Sequence, residues 1–206
     1  MRLRNDRNSE ENIKKTKYWY SPDNYPIILN KESIIEIGMG KGEMLTRMAN
    51  ENPNMIFYGL EKYPTVAYKA VKKAEKLNLN NFFIILDDAK NLNNIFNNYA
   101  NTIWLTFSDP WPKARHEKRR LTYKTYLDEY EKIMDNDSIL IFKSDNDKLY
   151  EYSLENLIKN KWIIIKNGND LHKSSFQKNN IMTEYEEKWS KLGKNINFIF
   201  AKKPIK

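Results

Sequence analysis

Cysteine is absent from this chain of 206 residues, and histidine occurs only twice. A disulfide framework is therefore excluded, and a cage of Cys and His lacks enough ligands, so we expect no structural metal. No stretch is long and apolar enough to span a bilayer, and the first residues lack the apolar segment of a secretion signal. These absences predict a cytoplasmic protein.

The charge balance is strongly positive, with a formal net charge of +8. Such a bias favours a polyanionic partner, because neutralised phosphates release counterions; a lysine-rich surface that only aids solubility is the alternative. A hydrophobic content of 40% predicts one compact domain over residues 1–206, as a monomer or a homodimer. Residues 1–17 have no apolar period, so we predict a mobile basic arm in which Arg2, Arg4 and Arg7 are candidates for RNA contact.

From residue 33 onward, short β-branched or aromatic runs alternate with stretches of helical period. Strands are predicted over residues 33–37, 55–60, 82–86, 102–107, 138–142, 162–165 and 196–200. Helices are predicted at about residues 44–49, 65–77, 121–134 and 149–157. This alternation is typical of a doubly wound α/β fold, and the last two strands suit an antiparallel pair at the edge of a mostly parallel seven-stranded sheet.

A glycine-rich turn, G-x-G-x-G over residues 38–42, joins the first predicted strand to the first helix. Gly38 and Gly40 lack a Cβ and allow close approach of a ligand to the backbone, although a tight turn without a ligand is the alternative. The spacing matches neither the dinucleotide fingerprint G-x-G-x-x-G nor the phosphate loop that ends in G-K-[ST]. A nucleotide-type ligand other than NAD or a bound triphosphate is predicted.

Acidic residues end three successive predicted strands. Glu61 is placed to accept hydrogen bonds from both ribose hydroxyls, Asp88 from an adenine amino group, and Glu36 from an ammonium group. Each has an alternative role at a helix N-terminus, Asp88 above all. Together they predict S-adenosylmethionine as the ligand and a Rossmann-like class I methyltransferase as the fold.

The fourth predicted strand runs into Asp-Pro-Trp-Pro, residues 109–112, where two prolines prevent further ladder pairing and favour an ordered loop. Five cations follow within residues 113–120. Such a cluster predicts a phosphate-binding surface, and a solvated helix face is the alternative.

This region resembles a known family. The stretch FSDPWPKARHEKRRLTY, residues 107–123, is similar to the signature of the bacterial tRNA (guanine-N7-)-methyltransferases. EIGMGKGEML at 36–45, FKSDN at 142–146 and MTEYEEK at 182–188 add to the likeness, which covers nearly all of the chain from residue 34. The resemblance implies methyl transfer from S-adenosylmethionine to guanine 46 in the variable loop of tRNA.

The resemblance also implies roles for individual residues. The implied cofactor site contains Glu36, Gly38, Gly40, Glu61, Asp88 and Asp109. The implied substrate contacts are Lys113, Asp145, Thr183, Glu184, Tyr185 and Glu186. The implied RNA contacts are Arg115, His116, Lys118, Arg119 and Arg120. Thr183 and Glu186 also have the spacing of a helix capping box, which is compatible with the implied role.

Asp109 is the residue implied to lie closest to catalysis, and two roles for it stay open. Guanine N7 carries a lone pair and no hydrogen, so its attack on a methyl group requires no general base. Asp109 either stabilises the positive charge that develops on the base, or accepts hydrogen bonds from guanine N1–H and the N2 amino group, with Lys113 donating to O6. For Trp111, core packing and stacking on an extracted guanine are both open.

Three classes of function are rivals to this one: a methyltransferase with a different substrate, an RNA-binding protein without activity, and an NAD-dependent enzyme. A methyltransferase for a small molecule is disfavoured by the basic segment, whereas one for another RNA base is not. An RNA-binding protein without activity is disfavoured by the acids at the predicted cofactor site. An NAD-dependent enzyme is disfavoured by the glycine spacing.

Overall fold

The computed structural model describes residues 6–205. Within that range the helices are α1 Ser9–Lys14, α2 Glu43–Glu51, α3 Pro64–Lys76, α4 Leu92–Ile95, α5 Lys124–Lys132, α6 Asp147–Lys159 and α7 Glu184–Lys191. The strands are β1 Ile27–Ile28, β2 Ser33–Ile37, β3 Ile56–Leu60, β4 Phe82–Ile85, β5 Phe96–Asn97, β6 Ala100–Thr106, β7 Met134–Ser144, β8 Ile163–Gly168 and β9 Asn197–Lys202. All the helices and strands predicted above are present, with ends that differ by a few residues. None of the helices in this described range is long and apolar enough to cross a membrane.

Strands β2–β4 and β6–β9 form one sheet in the order β4-β3-β2-β6-β7-β9-β8. Neighbouring strands from β4 to β7 pair in parallel, whereas β9 is antiparallel to both β7 and β8. The predicted Rossmann-like, doubly wound and mostly parallel sheet with antiparallel pairing at one edge is confirmed. The chain goes from β2 to β3 on one side and later returns to its other side as β6, so the strand order reverses at β2. In open α/β sheets, ligands bind at the carboxyl ends of the strands beside such a reversal.

Apolar side chains cover both faces of the sheet. All five residues of β2 are buried, as expected of a central parallel strand. One face packs against α1, α2 and α3 in a cluster that includes Phe57 and Val71. The other face packs against α5 and α6 in a cluster that includes Leu127 and Leu157. With both faces covered, the loops at the strand ends are the accessible places for a site.

The N-terminal segment differs from the predicted mobile arm. Helix α1 packs against α3, and its Ile13 is fully buried. The prediction is therefore wrong for residues 9–17, where one apolar residue in a polar helix gives no recognisable period but is enough to dock a short helix. Arg7 is exposed, and Arg2 and Arg4 lie outside the described residues.

The sequence pattern also failed to predict β1 and β5, which pair in parallel as a small separate sheet. Each strand has only two residues, which is too short for the alternation that identifies a strand. Their pairing depends on the tertiary fold and not on local sequence.

Candidate active site

The glycine-rich turn follows β2, where the strand order reverses. Gly38 and Gly40 have φ of +73° and +59°, which residues with a side chain rarely adopt. Glu61, directly after β3, accepts hydrogen bonds from the Gly40 N–H at 3.1 Å and from the Tyr63 N–H at 3.0 Å. Two backbone donors thus fix the Glu61 carboxylate beside the turn.

Glu36, in β2, is only 1% exposed. Thr106 Oγ1 donates a hydrogen bond to Glu36 Oε1, whereas Oε2 has no hydrogen-bond partner within residues 6–205. Burial raises the pKa of Glu36 to about 7, although the bond from Thr106 and the charge of Lys143 act to lower it. A buried oxygen without a donor costs free energy. Glu36 is therefore suited to a cationic donor that comes from outside the chain.

Two cavities lie on either side of the glycine-rich turn. The first has a volume of about 310 Å³ and contains three of the predicted acids, Glu61, Asp88 and Asp109. The second has a volume of about 440 Å³ and is lined by the fourth predicted acid and the start of α7, through Glu36, Thr183, Glu184 and Tyr185. Gly38 and Phe107 line both cavities. Two chemically different groups can therefore meet at Gly38 and Phe107.

Asp88 lines the first cavity and also forms a hydrogen bond with the nearby backbone. Its Oδ1 accepts a hydrogen bond from the Lys90 N–H at 3.1 Å, so Asp88 caps a 3₁₀ helix over Ala89–Asn91. Its Oδ2 lies 4.0 Å from Lys62 Nζ. The capping role considered for Asp88 is confirmed, and because capping uses one oxygen it is compatible with ligand binding by the other.

The Asp-Pro-Trp-Pro loop begins with a strained backbone. Phe107 and Trp111 have φ of +49° and +41°, in a region that costs of order 1–3 kcal/mol for a residue with a side chain. Arg120 holds the loop, because its Nε donates to Pro110 O at 3.2 Å and its Nη2 to Trp111 O at 3.1 Å. The structure thus gives Arg120, which was assigned to RNA from the sequence, a role inside the protein.

The remaining basic segment is a surface 3₁₀ helix, Ala114–Arg119. Its exposed cations, together with the residue before the helix, are Lys113, Arg115, Lys118 and Arg119. The Arg119 guanidinium lies 4.8 Å from the centre of the Trp111 ring, and His116 meets the same ring edge-on at 5.7 Å. Trp111 is half-buried and packs on these two side chains. The cationic surface therefore adjoins the first cavity, which Arg119 also lines.

Most of the substrate contacts predicted near the C-terminus lie at the start of α7. Thr183 caps this helix by accepting a hydrogen bond from the Glu186 N–H at 2.9 Å, which confirms the threonine half of the capping box. Tyr185 Oη donates to Asp145 Oδ2 at 3.4 Å, so Asp145 adjoins the residues that line the second cavity. The structure thus brings Thr183, Glu184, Tyr185 and Asp145 together.

Glu186 does not join this group. It is fully buried, and its Oε2 lies 2.8 Å from the ammonium of Lys143, while its Oε1 lies 2.9 Å from His172 Nε2. Two predictions for Glu186 are wrong in this structure: that it contacts the substrate, and that its side chain completes the capping box at Thr183. Both fail because partners inside the protein already bind its carboxylate.

Two residues of the site had no role in the sequence analysis, although both stand in or beside the quoted motifs. Thr106 orients Glu36, and Lys143 pairs with Glu186. A signal for Lys143 exists in the sequence, because a lysine within a run of strand residues as buried as β7 requires an acidic partner. No comparable signal identifies Thr106.

Solved structures with the same fold carry more than one chemistry. An rRNA methylase from Streptococcus thermophilus aligns with a TM-score of 0.56 at 14% identity, over 86% of this chain and 90% of that one. A [4+2]-cyclase aligns with a TM-score of 0.59 at 14% identity, over 84% of this chain and 76% of that one. At this identity the likeness establishes the fold alone.

Sequence relatives are more informative. A family model described as "Putative methyltransferase" matches residues 30–199. A protein of Mycoplasmopsis agalactiae named tRNA (guanine-N(7)-)-methyltransferase is 54% identical over 98% of this chain and 99% of its own length. A protein of the same name from Mycoplasmopsis pulmonis is 51% identical over 97% of each chain. With this identity over almost its whole length, the chain belongs to the tRNA (guanine-N7-)-methyltransferase family.

Proposed function

We propose that this chain transfers the methyl group of S-adenosylmethionine to N7 of guanine 46 in the variable loop of tRNA. The observation that carries the proposal is the meeting of two cavities at Gly38 and Phe107, next to an exposed cationic surface. One cavity offers acids suited to an adenosyl group, and the surface offers cations suited to phosphates. The name of the sequence relatives supports tRNA as the substrate and guanine N7 as the target atom.

The residues around the cavities fit S-adenosylmethionine. Each Glu61 oxygen accepts one backbone N–H and keeps a lone pair for a ribose hydroxyl, while Asp88 is assigned to the adenine amino group. The unpartnered Glu36 Oε2 is assigned to the ammonium of the methionine part. Asp109 completes the proposed set because it lines the same cavity as Glu61. When bound, S-adenosylmethionine supplies an electrophilic methyl group on a sulfonium sulfur.

The protein has little proton chemistry to perform in this reaction. Because N7 attacks through a lone pair and carries no hydrogen, the site has to orient the base and stabilise charge. We assign that work to Asp109, either by facing the positive charge on the methylated ring or by holding the N1–H and N2 amino group. Lys113 and Asp145 are the proposed partners of the base, with Thr183, Glu184 and Tyr185 beside them.

The proposed tRNA contacts are Arg115, His116, Lys118 and Arg119, with Arg120 also assigned to RNA from the sequence. Their cationic charge attracts phosphates without reading sequence, so they bring the variable loop to the cavities and leave base choice to the site. Because tRNA is the proposed substrate, the cytoplasm is the proposed compartment.

The test is methylation of unmodified tRNA transcripts by the purified protein with labelled S-adenosylmethionine, followed by nucleoside analysis. One transcript carries guanine 46 and a second carries adenine there. We expect labelled 7-methylguanosine from the first transcript only. Asp109→Ala should abolish the product, whereas Asp137→Ala, which removes a carboxylate that is 96% exposed, should not.

The rival functions that involve RNA predict different results. Label in another nucleoside indicates a methyltransferase for a different RNA base. Label in 7-methylguanosine from both transcripts refutes position 46 but keeps the reaction. Binding of tRNA without any transfer of label indicates an RNA-binding protein without activity.

A further inference from the structure

Helix α7 contacts the rest of the protein through few buried side chains. Of its eight residues, all of which the structure describes, only Glu186 is buried. A short surface helix normally docks through apolar side chains. Here the one fully buried position carries a carboxylate instead. Apolar contacts come from the partly buried Trp189, which packs against a cluster that contains Phe198, and from Tyr185, whose ring lies 5.3 Å from that of Phe107. Neither side chain is fully buried, so these contacts leave the position of the helix start less sharply defined than a buried, directed contact does.

The other ion pairs of α7 lie on the surface. Glu184 pairs with Lys41 at 2.9 Å and with Lys73 at 3.5 Å, and Glu187 pairs with Arg47 at 2.6 Å. All of these side chains are at least 26% exposed. Exposed pairs of this kind contribute little to stability and tolerate several geometries. They cannot define one position for the start of the helix.

Lys143 and Glu186 form a buried contact with a fixed direction. Both side chains are at most 1% exposed, and Nζ lies 2.8 Å from Oε2. The Lys143 ammonium also donates to Asn180 Oδ1 at 3.0 Å and to Ile181 O at 3.2 Å, which satisfies all three of its donors. Asn180 Nδ2 donates to Glu186 Oε1 at 2.6 Å. The pair therefore orders the segment that leads into α7 as well as the helix.

Electrostatics agrees with this geometry. Burial by itself raises the pKa of Glu186, but the charge of Lys143 and hydrogen bonds from Lys143, His172 and Asn180 lower it below its usual value. Glu186 is thus an anion held by a cation. Removal of either partner leaves an uncompensated buried charge.

Lys143 also contacts a residue that lines both cavities. Its carbonyl oxygen accepts a hydrogen bond from the N–H of Phe107 at 2.9 Å, and Phe107 lines both cavities. Thr183, Glu184 and Tyr185, which immediately precede Glu186, line the second cavity. Lys143 therefore contacts both Phe107, which lines the two cavities, and the helix whose start lines the second one.

We propose that Lys143 and Glu186 are positioning residues, whose buried ion pair fixes the start of α7 over the second cavity and so places Thr183, Glu184 and Tyr185 against the target base. Neither side chain touches the substrate. The expected loss of methylation rests on the proposed function, whereas the expected change in the order of α7 rests only on the contacts of Lys143 and Glu186.

The test compares Glu186→Gln with Glu187→Gln, a matched change at the exposed neighbour in the same helix. Hydrogen–deuterium exchange of α7 is measured without tRNA, S-adenosylhomocysteine binding by calorimetry, and methylation by steady-state kinetics. For Glu186→Gln we expect faster exchange in α7 and kcat lowered by roughly 100-fold, since a displacement of about 1 Å has such an effect. The affinity for S-adenosylhomocysteine should change much less than kcat, because its proposed partners Glu36 and Glu61 lie in or directly after strands of the sheet and not in α7. Glu187→Gln should match the wild type.

Two results overturn the proposal. If kcat falls while exchange in α7 is unchanged, Glu186 acts on the substrate directly. If α7 exchanges faster while kcat is unchanged, the position of the helix does not matter for catalysis. Should the wild type form no 7-methylguanosine at all, the proposed function fails, and the exchange comparison still decides whether the pair docks α7.

A double variant separates positioning from stability. Lys143→Met alone leaves Glu186 unpaired and should destabilise the fold. Combining it with Glu186→Met replaces the pair by apolar side chains, which restores stability in other buried pairs. We expect the double variant to regain unfolding stability and to keep a low kcat, because flexible methionines do not reproduce the directed contacts. Recovery of both would show that the role is structural only.

Discussion

Replacement of Glu36 by glutamine should make the ligand-free protein more stable and its cofactor binding weaker. Glu36 is 1% exposed, its Oε2 has no partner within the described range, and burial raises its pKa to about 7. A carboxyl group whose pKa is higher in the folded state than in the unfolded state binds its proton more tightly when folded. Stability therefore falls as the pH rises from the unfolded pKa, near 4.5, through 7.

The size of the effect follows from the shift. A change from 4.5 to about 7 corresponds to about 3 kcal/mol of lost unfolding stability at pH 8, most of which is lost between pH 5 and pH 8. Glutamine does not ionise, so Glu36→Gln should escape this loss. It also gives up a charge-assisted hydrogen bond to the ligand ammonium, so S-adenosylhomocysteine should bind roughly 10- to 150-fold more weakly.

The assay is urea unfolding of the ligand-free wild type and Glu36→Gln at pH 5 and pH 8, with calorimetric titration of S-adenosylhomocysteine at pH 8. Comparing the variant with the wild type at each pH cancels every other titrating group. The stability gain should be much larger at pH 8 than at pH 5. An equal gain at both pH values would refute the ionisation argument, and unchanged affinity would refute the assignment of the ammonium to Glu36.

Three further changes test other parts of the site. Arg120→Lys keeps the charge but cannot bond both loop carbonyl groups, so kcat/KM should fall about tenfold with an unchanged salt dependence; a reduced salt slope in the kinetics would instead indicate phosphate contact. Lys118→Ala should lower the slope of log K for tRNA against log salt by about 1, measured by filter binding, and leave the affinity for S-adenosylhomocysteine unchanged. An unchanged slope would show that Lys118 does not contact an RNA phosphate. Gly42→Ala puts a Cβ 2.5 Å from Ala70 Cβ at a φ of +65°, so it should lower the melting temperature more than Gly193→Ala, which has a φ of +74° and no neighbour within 4 Å. Equal losses would show that the clash relaxes.

The parts of the fold that were predictable are those encoded locally. β2 was predicted with both ends correct, because three isoleucines within five residues are followed at once by a glycine-rich turn. Glu61 and Asp88 were predicted at one edge because parallel strands bring their carboxyl ends together. Period and spacing are sufficient for such features, since each needs only the order of residues in one βα unit.

The features that were missed depend on partners far apart in the chain or on backbone strain. Lys143 and Glu186 are 43 residues apart, and the sequence around each residue gives no signal that identifies the other as its partner. Phe107 and Trp111 adopt positive φ without being glycine, so the course of the loop that Arg120 holds is not encoded by turn residues. The ion pair depends on a partner that is distant in the chain, and in the loop tertiary contacts impose a conformation that local preference opposes.

The two faces of the sheet and its carboxyl edge contribute differently to stability. The two apolar clusters on the faces of the sheet stabilise the fold, whereas the carboxyl edge holds desolvated acids with raised pKa values, Glu36 and Glu61, and the strained residues Phe107 and Trp111. Each of these lowers the stability of the ligand-free protein. A ligand that brings an ammonium and ribose hydroxyls supplies hydrogen-bond donors to both buried acids and so offsets part of the free energy that their burial costs. Catalytic sites that are preorganised in this way bind the reacting groups without first having to move.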